Sequence, residues 1–152
     1  MNASYTYPDG NQALFGVSIR IEEGGTVAVV GANGAGKSTL LSLLVGILPA
    51  SEGEIVIAGI PMTKGRLDEI RRKVGFVFQD PDDQLFMARV YDDIAFGPRN
   101  FGHSAEESQA MADKAMEIMG IDHLKNRAPH KLSGGEKRNV AIAAVLAMEP
   151  DV

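Results

Sequence analysis

One octapeptide constrains this chain more than any other: Gly31-Ala32-Asn33-Gly34-Ala35-Gly36-Lys37-Ser38. It meets every fixed position of the pattern G-x-x-x-x-G-K-[ST]. Before it runs Thr26-Val27-Ala28-Val29-Val30, β-branched and apolar on both faces, as a buried strand of a parallel sheet would be. After it, Lys37 to Val45 reads as a helix closed by Gly46 and Pro49. Glycines let a backbone curl until successive N–H groups face one anion, and the helix start adds its positive dipole end. A plain glycine-rich strand-to-helix turn does not explain Lys37-Ser38, because a cation at a helix start opposes the dipole unless an anion sits there. The pattern therefore predicts a phosphate cradle. Lys37 would reach the outer phosphates and Ser38 Oγ would hold Mg²⁺.

Composition narrows the class. At 152 residues and 45% apolar, the chain is predicted to form one compact domain, or one with a small insert, rather than a disordered polar segment. It contains no cysteine, which excludes a disulfide scaffold, a thiolate zinc site and a cysteine nucleophile. The net charge of −5 argues against a broad basic face for nucleic acid. The apolar stretch Leu40 to Leu48 holds Ser42 and Gly46 and is too short to cross a bilayer. No export signal is visible at Met1-Asn2-Ala3-Ser4, so a soluble intracellular domain is expected, any membrane role coming through a partner. His103, His123 and His130 lack metal-ligand spacing, and Met111, Met116 and Met119 read as soft core packing.

Along the chain, Val17, Ile19 and Ile21 alternate with polar residues and predict an antiparallel strand. Glu54 to Ala58 and Val74 to Phe78 read as further strands, with a short charged helix carrying Leu67 and Ile70 between them. From Asp80 to Pro150 the pattern holds no strand and two helices. Ser104 with Glu107 predicts a capping box for the first, Gly120 its end, and Met111, Ala115 and Ile118 one apolar face. The second spans Gly134 to Met148. An α/β core over 1–79, a helical subdomain over 80–133 and a helix over 134–152 leading back to the core are expected.

Leu132-Ser133-Gly134-Gly135-Glu136 opens the last helix. A capping box accounts for Ser133 and Glu136. It does not account for two adjacent glycines, each about 1 kcal/mol worse than alanine in a helix interior. Glycines there leave the first amides bare, so the chain presents a second helix start suited to phosphate. With these two motifs the chain resembles the nucleotide-binding subunit of ATP-binding-cassette (ABC) transporters. Leu132 to Glu136 looks like that family's signature motif and Gly31 to Ser38 its Walker A. Gln79 looks like the glutamine that touches Mg²⁺ and the attacking water, although a polar residue at a strand end would also suit the position. Tyr7 aligns with the aromatic residue that stacks on adenine, with Tyr5 as the alternative. The resemblance implies a P-loop ATPase fold and a head-to-tail dimer in which Ser133, Gly134, Gly135 and Glu136 face ATP held by the other subunit's Gly31, Asn33, Gly34, Ala35, Gly36, Lys37, Ser38 and Thr39. Lys37 and Gln79 would be catalytic, and Ser38 and Gln79 the Mg²⁺ contacts.

Asp80-Pro81-Asp82-Asp83-Gln84-Leu85-Phe86 is helix-starting chemistry, which explains its acids better than a cation site does. With Tyr91-Asp92-Asp93-Ile94-Ala95-Phe96-Gly97-Pro98 it resembles the corresponding segment of cobalt/nickel importers and energy-coupling-factor vitamin importers. There the segment docks on a membrane coupling subunit; Leu85, Phe86 and Met87 are either that docking surface or ordinary core. The resemblance implies an ATPase at the cytoplasmic face of the cell membrane, working with a coupling subunit, a substrate-binding membrane subunit and a second ATPase. A nucleotide-gated scaffold or regulator outside transport is the alternative; a small-molecule P-loop kinase does not account for Ser133–Glu136. The family's aliphatic strand ending in Asp-Glu is not reached by Asp151-Val152, the first family strand is barely represented, and Asn139 stands where most members carry arginine. The 152 residues alone are therefore expected to hydrolyse ATP poorly or not at all. If the cradle holds a nucleotide, titration of ATP with Mg²⁺ will show saturable binding that Lys37→Ala abolishes; equal, negligible binding by both would remove the reading.

Overall fold

The structure, a computed structural model, describes residues 2–152 and divides into two compact units, Met1–Arg71 and Arg72–Val152. In the first, β1 (Ala3–Thr6) and β2 (Gln12–Val17) form an antiparallel hairpin with Tyr5 opposite Leu14. Its loop is closed by the Tyr7 amide on the Asn11 carbonyl (2.8 Å) and the Asn11 amide on Asp9 Oδ1 (3.0 Å). The helix α1 (Lys37–Leu44) buries Leu43 against Ala3, Tyr5 and Leu14, and Leu40, Leu48 and Ile55 pack around them. A second hairpin joins β3 (Val56–Ile57) to β4 (Ile60–Pro61). Its two turn residues, Ala58 and Gly59, both have positive φ (48° and 77°), the geometry that matches strand twist in a two-residue loop.

The strands depart from the sequence pattern. The antiparallel strand expected from Val17 lies earlier, over β2, and Glu54–Ala58 narrows to β3. Thr26–Val30 joins no ladder among the described residues, and Val27, Val29 and Val30 are 50%, 40% and 87% exposed instead of buried. Alternation and β-branching report what a segment can do; a ladder forms only where a neighbour supplies the facing amides and carbonyls.

In the second unit, α2 (Leu67–Lys73), which crosses the boundary, runs into the Val74–Phe78 segment, also outside any ladder. Its start is held by the Asp151 and Val152 amides on the Lys73 carbonyl (2.8 and 2.9 Å) and the Gly75 amide on the Val152 carbonyl (2.7 Å). Three helices then pack pairwise: α3 (Val90–Asn100), α4 (Ala105–Met119) and α5 (Gly134–Leu146). Alanines let them approach closely; Ala95, Ala112, Ala115, Ala141 and Ala143 are all at most 2% exposed beside Ile94, Met116, Leu124 and Val140. The helix α3 was not among the two expected over 80–150; Pro98 lies inside its last turns, fully buried. The inward face of α4 carries Ser108, Ala112, Ala115 and Met116, whereas Ile118 is 63% exposed.

Both predicted capping boxes are present. Ser104 Oγ accepts from the Glu107 amide (3.1 Å) while Glu107 accepts from the Ser104 amide (2.8 Å), and Gly120 ends α4 at φ 65°. The Ser104 amide, and then its hydroxyl, hold the Glu107 carboxyl below its ordinary range. A depressed acid stabilises the fold above its unfolded pKa and loses that contribution as pH falls through the folded value. Ser104→Ala removes the N-cap side chain and should cost about 1 kcal/mol near neutral pH. Urea midpoints should show this gap narrowing as the pH is lowered from about 6 to about 3.

Candidate functional site

The cradle lies in the first unit. The turn is made by the Ala35 amide on the Ala32 carbonyl (3.2 Å), with Gly34 and Gly36 both in the left-handed region (φ 81° and 85°). Gly36 is doubly required: it is the N-cap of α1, and a Cβ there would lie 2.8 Å from the Ala13 carbonyl oxygen and 2.9 Å from Leu14 Cδ2. The loop is thereby seated on β2, a constraint that the motif alone does not reveal. No side chain caps α1, so its first amides are left for another acceptor. Lys37 Nζ donates to the Gly31 and Ala32 carbonyls (2.9 and 2.8 Å), which curls the cation back over the loop. Gly31, Asn33, Gly34, Ala35 and Ser38 are exposed, and the Asn33 and Ser38 side chains make no hydrogen bond among the described residues. An exposed serine hydroxyl next to the loop lysine fits the donor set of a hydrated Mg²⁺.

The structure brings Tyr7 to this helix. Its hydroxyl is 2.9 Å from Oγ1 of Thr39, which is itself 6% exposed, and its ring meets Tyr5 edge-on at 4.9 Å. Tyr5 is 7% exposed and belongs to the core, so of the two tyrosines it is Tyr7 that retains an accessible surface.

The second unit holds the other motifs. Ser133 is the N-cap of α5; its Oγ accepts from the Glu136 amide (3.3 Å) and donates to Glu136 Oε2 (2.8 Å). The Ser133 amide donates to the same carboxylate (2.7 Å), which, with the hydroxyl and then Arg127, holds Glu136 well ionised. Gly134 and Gly135 follow with no positive φ and with nothing within 4 Å of a Cβ built on either. The chain's own packing therefore gives no reason for glycine at these two positions.

Gln79 is exposed, and its backbone is tied to α5 by contacts absent from any motif. Arg138 Nη1 donates to the Gln79 carbonyl (3.0 Å) and the Phe78 carbonyl (3.2 Å). The Phe78 amide donates to Gln84 Oε1 (3.2 Å), and Gln84 Nε2 donates to the Ala141 carbonyl (2.8 Å). Lys137 Nζ contacts both oxygens of Asp82 (2.6 and 2.8 Å). As expected, Asp80 caps the short turn Pro81–Asp83 through the Asp82 amide (3.0 Å).

The stretch beyond it resolves into two kinds of residue. Leu85 is 9% exposed and is core, whereas Phe86 is 65% exposed and meets the 41%-exposed Phe96 edge-on at 5.0 Å. Asp93 holds this corner: its Oδ1 accepts from the Phe86 and Met87 amides (3.0 and 3.1 Å). Burial pushes the Asp93 carboxyl above its ordinary range.

A glycine-built loop at the head of a helix, filling every fixed position of G-x-x-x-x-G-K-[ST], is the construction of the P-loop class of nucleotide-binding domains. The family described as ABC transporter matches residues 14–152, and the chain belongs to it. The energy-coupling factor transporter ATP-binding protein EcfA of Methanothermobacter thermautotrophicus is 51% identical over 151 residues, covering 98% of this chain and 49% of that protein. Among solved structures, cbiO1 of Clostridium perfringens, part of the ABC transporter complex cbiONQ, superposes with a TM-score of 0.84 at 43% identity, covering 98% of this chain and 60% of that one. The ATP-binding cassette MJ0796, a dimer in a post-hydrolysis state bound to ADP and Pi, superposes at 0.87 with 31% identity, covering 98% of this chain and 68% of that one. The fold is thus that of the ABC ATPase, and the chain spans about half the length of the EcfA relative.

Proposed function

We propose that the chain is the nucleotide-binding part of an ATPase that drives import of cobalt, nickel or a vitamin through membrane partners. The observation that carries this reading is the open space above Gly134 and Gly135. Helix chemistry disfavours glycine at both, packing does not ask for it, and close approach of an anion to bare amides does. In a head-to-tail dimer, the amides that follow Ser133 would face the triphosphate seated in the partner's Gly31–Thr39 cradle. Tyr7 would stack on adenine, Lys37 would neutralise charge on the transferring phosphoryl group, and Gln79 would orient the attacking water. Bound Mg²⁺ would supply charge stabilisation at the phosphates, with Ser38 and Gln79 as its protein contacts.

The likeness to EcfA and to cbiO1 supports the importer type. No helix among the described residues is long and apolar enough to cross a membrane; on the importer reading, association with the cytoplasmic face runs through the membrane partners. The exposed Phe86–Phe96 pair is a suitable grip for a helix of a membrane coupling subunit. The segment division 1–79, 80–133 and 134–152 then assigns nucleotide binding to the first part, docking to the second and contact with the opposite nucleotide to the third.

Two substitutions separate function from folding. Gly135→Ala in the complete encoded protein should leave stability unchanged or raise it by up to about 1 kcal/mol. The same substitution should lower ATP turnover at least about tenfold. Wild-type turnover in Gly135→Ala would remove the signature role. Phe86→Ala should break co-purification with a membrane subunit while ATP binding persists. A soluble partner without membrane association would favour a scaffold or regulator over a transporter.

A further inference from the structure

We propose that Arg138 is a positioning residue for Gln79, so that the head of α5 and the glutamine move as one body. The proposal rests on the ATPase reading above for its consequence, and on hydrogen bonds for its basis. The contacts that fix the Phe78–Gln79 backbone come from α5. One guanidinium nitrogen of Arg138 takes the carbonyls on both sides of the Phe78–Gln79 peptide junction. Gln84 takes the Phe78 amide on one end of its side chain and holds the Ala141 carbonyl with the other. Lys137 anchors the turn just beyond through both oxygens of Asp82. Three successive stations on the loop are therefore bound to one helix.

Arg138 is the station that holds Gln79 itself: a charged donor forms stronger bonds to carbonyls than a neutral one, and one of its nitrogens donates to both the Phe78 and Gln79 carbonyls. Arg138 lies four residues from Gly134, so about 6 Å of rigid helix separates the latch from the bare amides. A displacement of the α5 head on meeting a phosphate would be passed to Gln79 with little slack, because the buried alanine face of α5 leaves it no room to bend separately. The 138 side chain is exposed and its removal leaves no core cavity, so variants at this position should fold.

The test uses the complete encoded protein. By hydrogen–deuterium exchange, Arg138→Ala should speed exchange of the amides from Phe78 to Gln84 about tenfold, with α4 unchanged, and Arg138→Lys should recover most of the protection. Unchanged exchange in this segment, or equal acceleration across α4, would overturn the positioning role whatever the ATPase rate. In turnover, Arg138→Ala should lower kcat about tenfold at near-constant KM for ATP, and adding Gln79→Ala should lower it little further. Multiplicative losses in the double variant would show that the two residues act independently, and would also overturn the proposal. A wild type without Lys37-dependent turnover would sink the ATPase reading alone, since the exchange result stands by itself.

Discussion

Peptide amides at the head of a helix have no partner within it, and this chain leaves them uncovered at α1 by construction. Gly36 occupies the N-cap with no side chain to offer, pressed so closely on Ala13 that no larger residue fits. Three features follow from that constraint. The loop must turn through left-handed positions, which Gly34 and Gly36 allow. The lysine that follows needs acceptors, and finds them in the carbonyls of Gly31 and Ala32. The hairpin β1–β2 seats the loop, which ties its shape to Ala13 and Leu14, far back along the chain. Tyr7, at the mouth of the same hairpin, reaches Thr39 and so shares the platform.

The head of α5 solves a related problem differently. Ser133 and Glu136 satisfy each other and the amides at the two ends of the box, which makes the helix start stable without a ligand. Between them the glycines leave a surface stripped of side chains. A stable start with an unshielded face is suited to meeting an anion presented from outside, because the helix does not have to form in response to it. The rest of α5 is committed to alanine-rich packing on one side and to the loop after Phe78 on another. It therefore forms a strut between the side-chain-free surface at Gly134 and Gly135 and the backbone of Gln79.

Local chemistry was legible wherever it could be satisfied within a few residues. Both capping boxes, the helix end at Gly120 and the short cap at Asp80 appear at the positions their patterns indicate. Reading failed where the deciding partner lies far along the chain. Thr26–Val30 has the composition of a central strand, yet no described strand pairs with it. The helix α3, with Pro98 buried in its last turns, was not among the two expected over 80–150. Leu85 and Phe86 are adjacent and equally apolar; only packing sends one to the core and the other to the surface.

What the amino-acid order determined alone is the chemistry of two helix starts, since each depends on residues within one turn and on rules that hold in any fold. What the tertiary structure decided is which residues surround them. It buried Tyr5 and left Tyr7 partly accessible beside Thr39, placed Gly36 against Ala13, and brought Arg138 to carbonyls some sixty positions earlier. Hydrogen bonds across such separations carry no periodic trace in sequence, because either partner alone is an ordinary surface residue until the helices are packed.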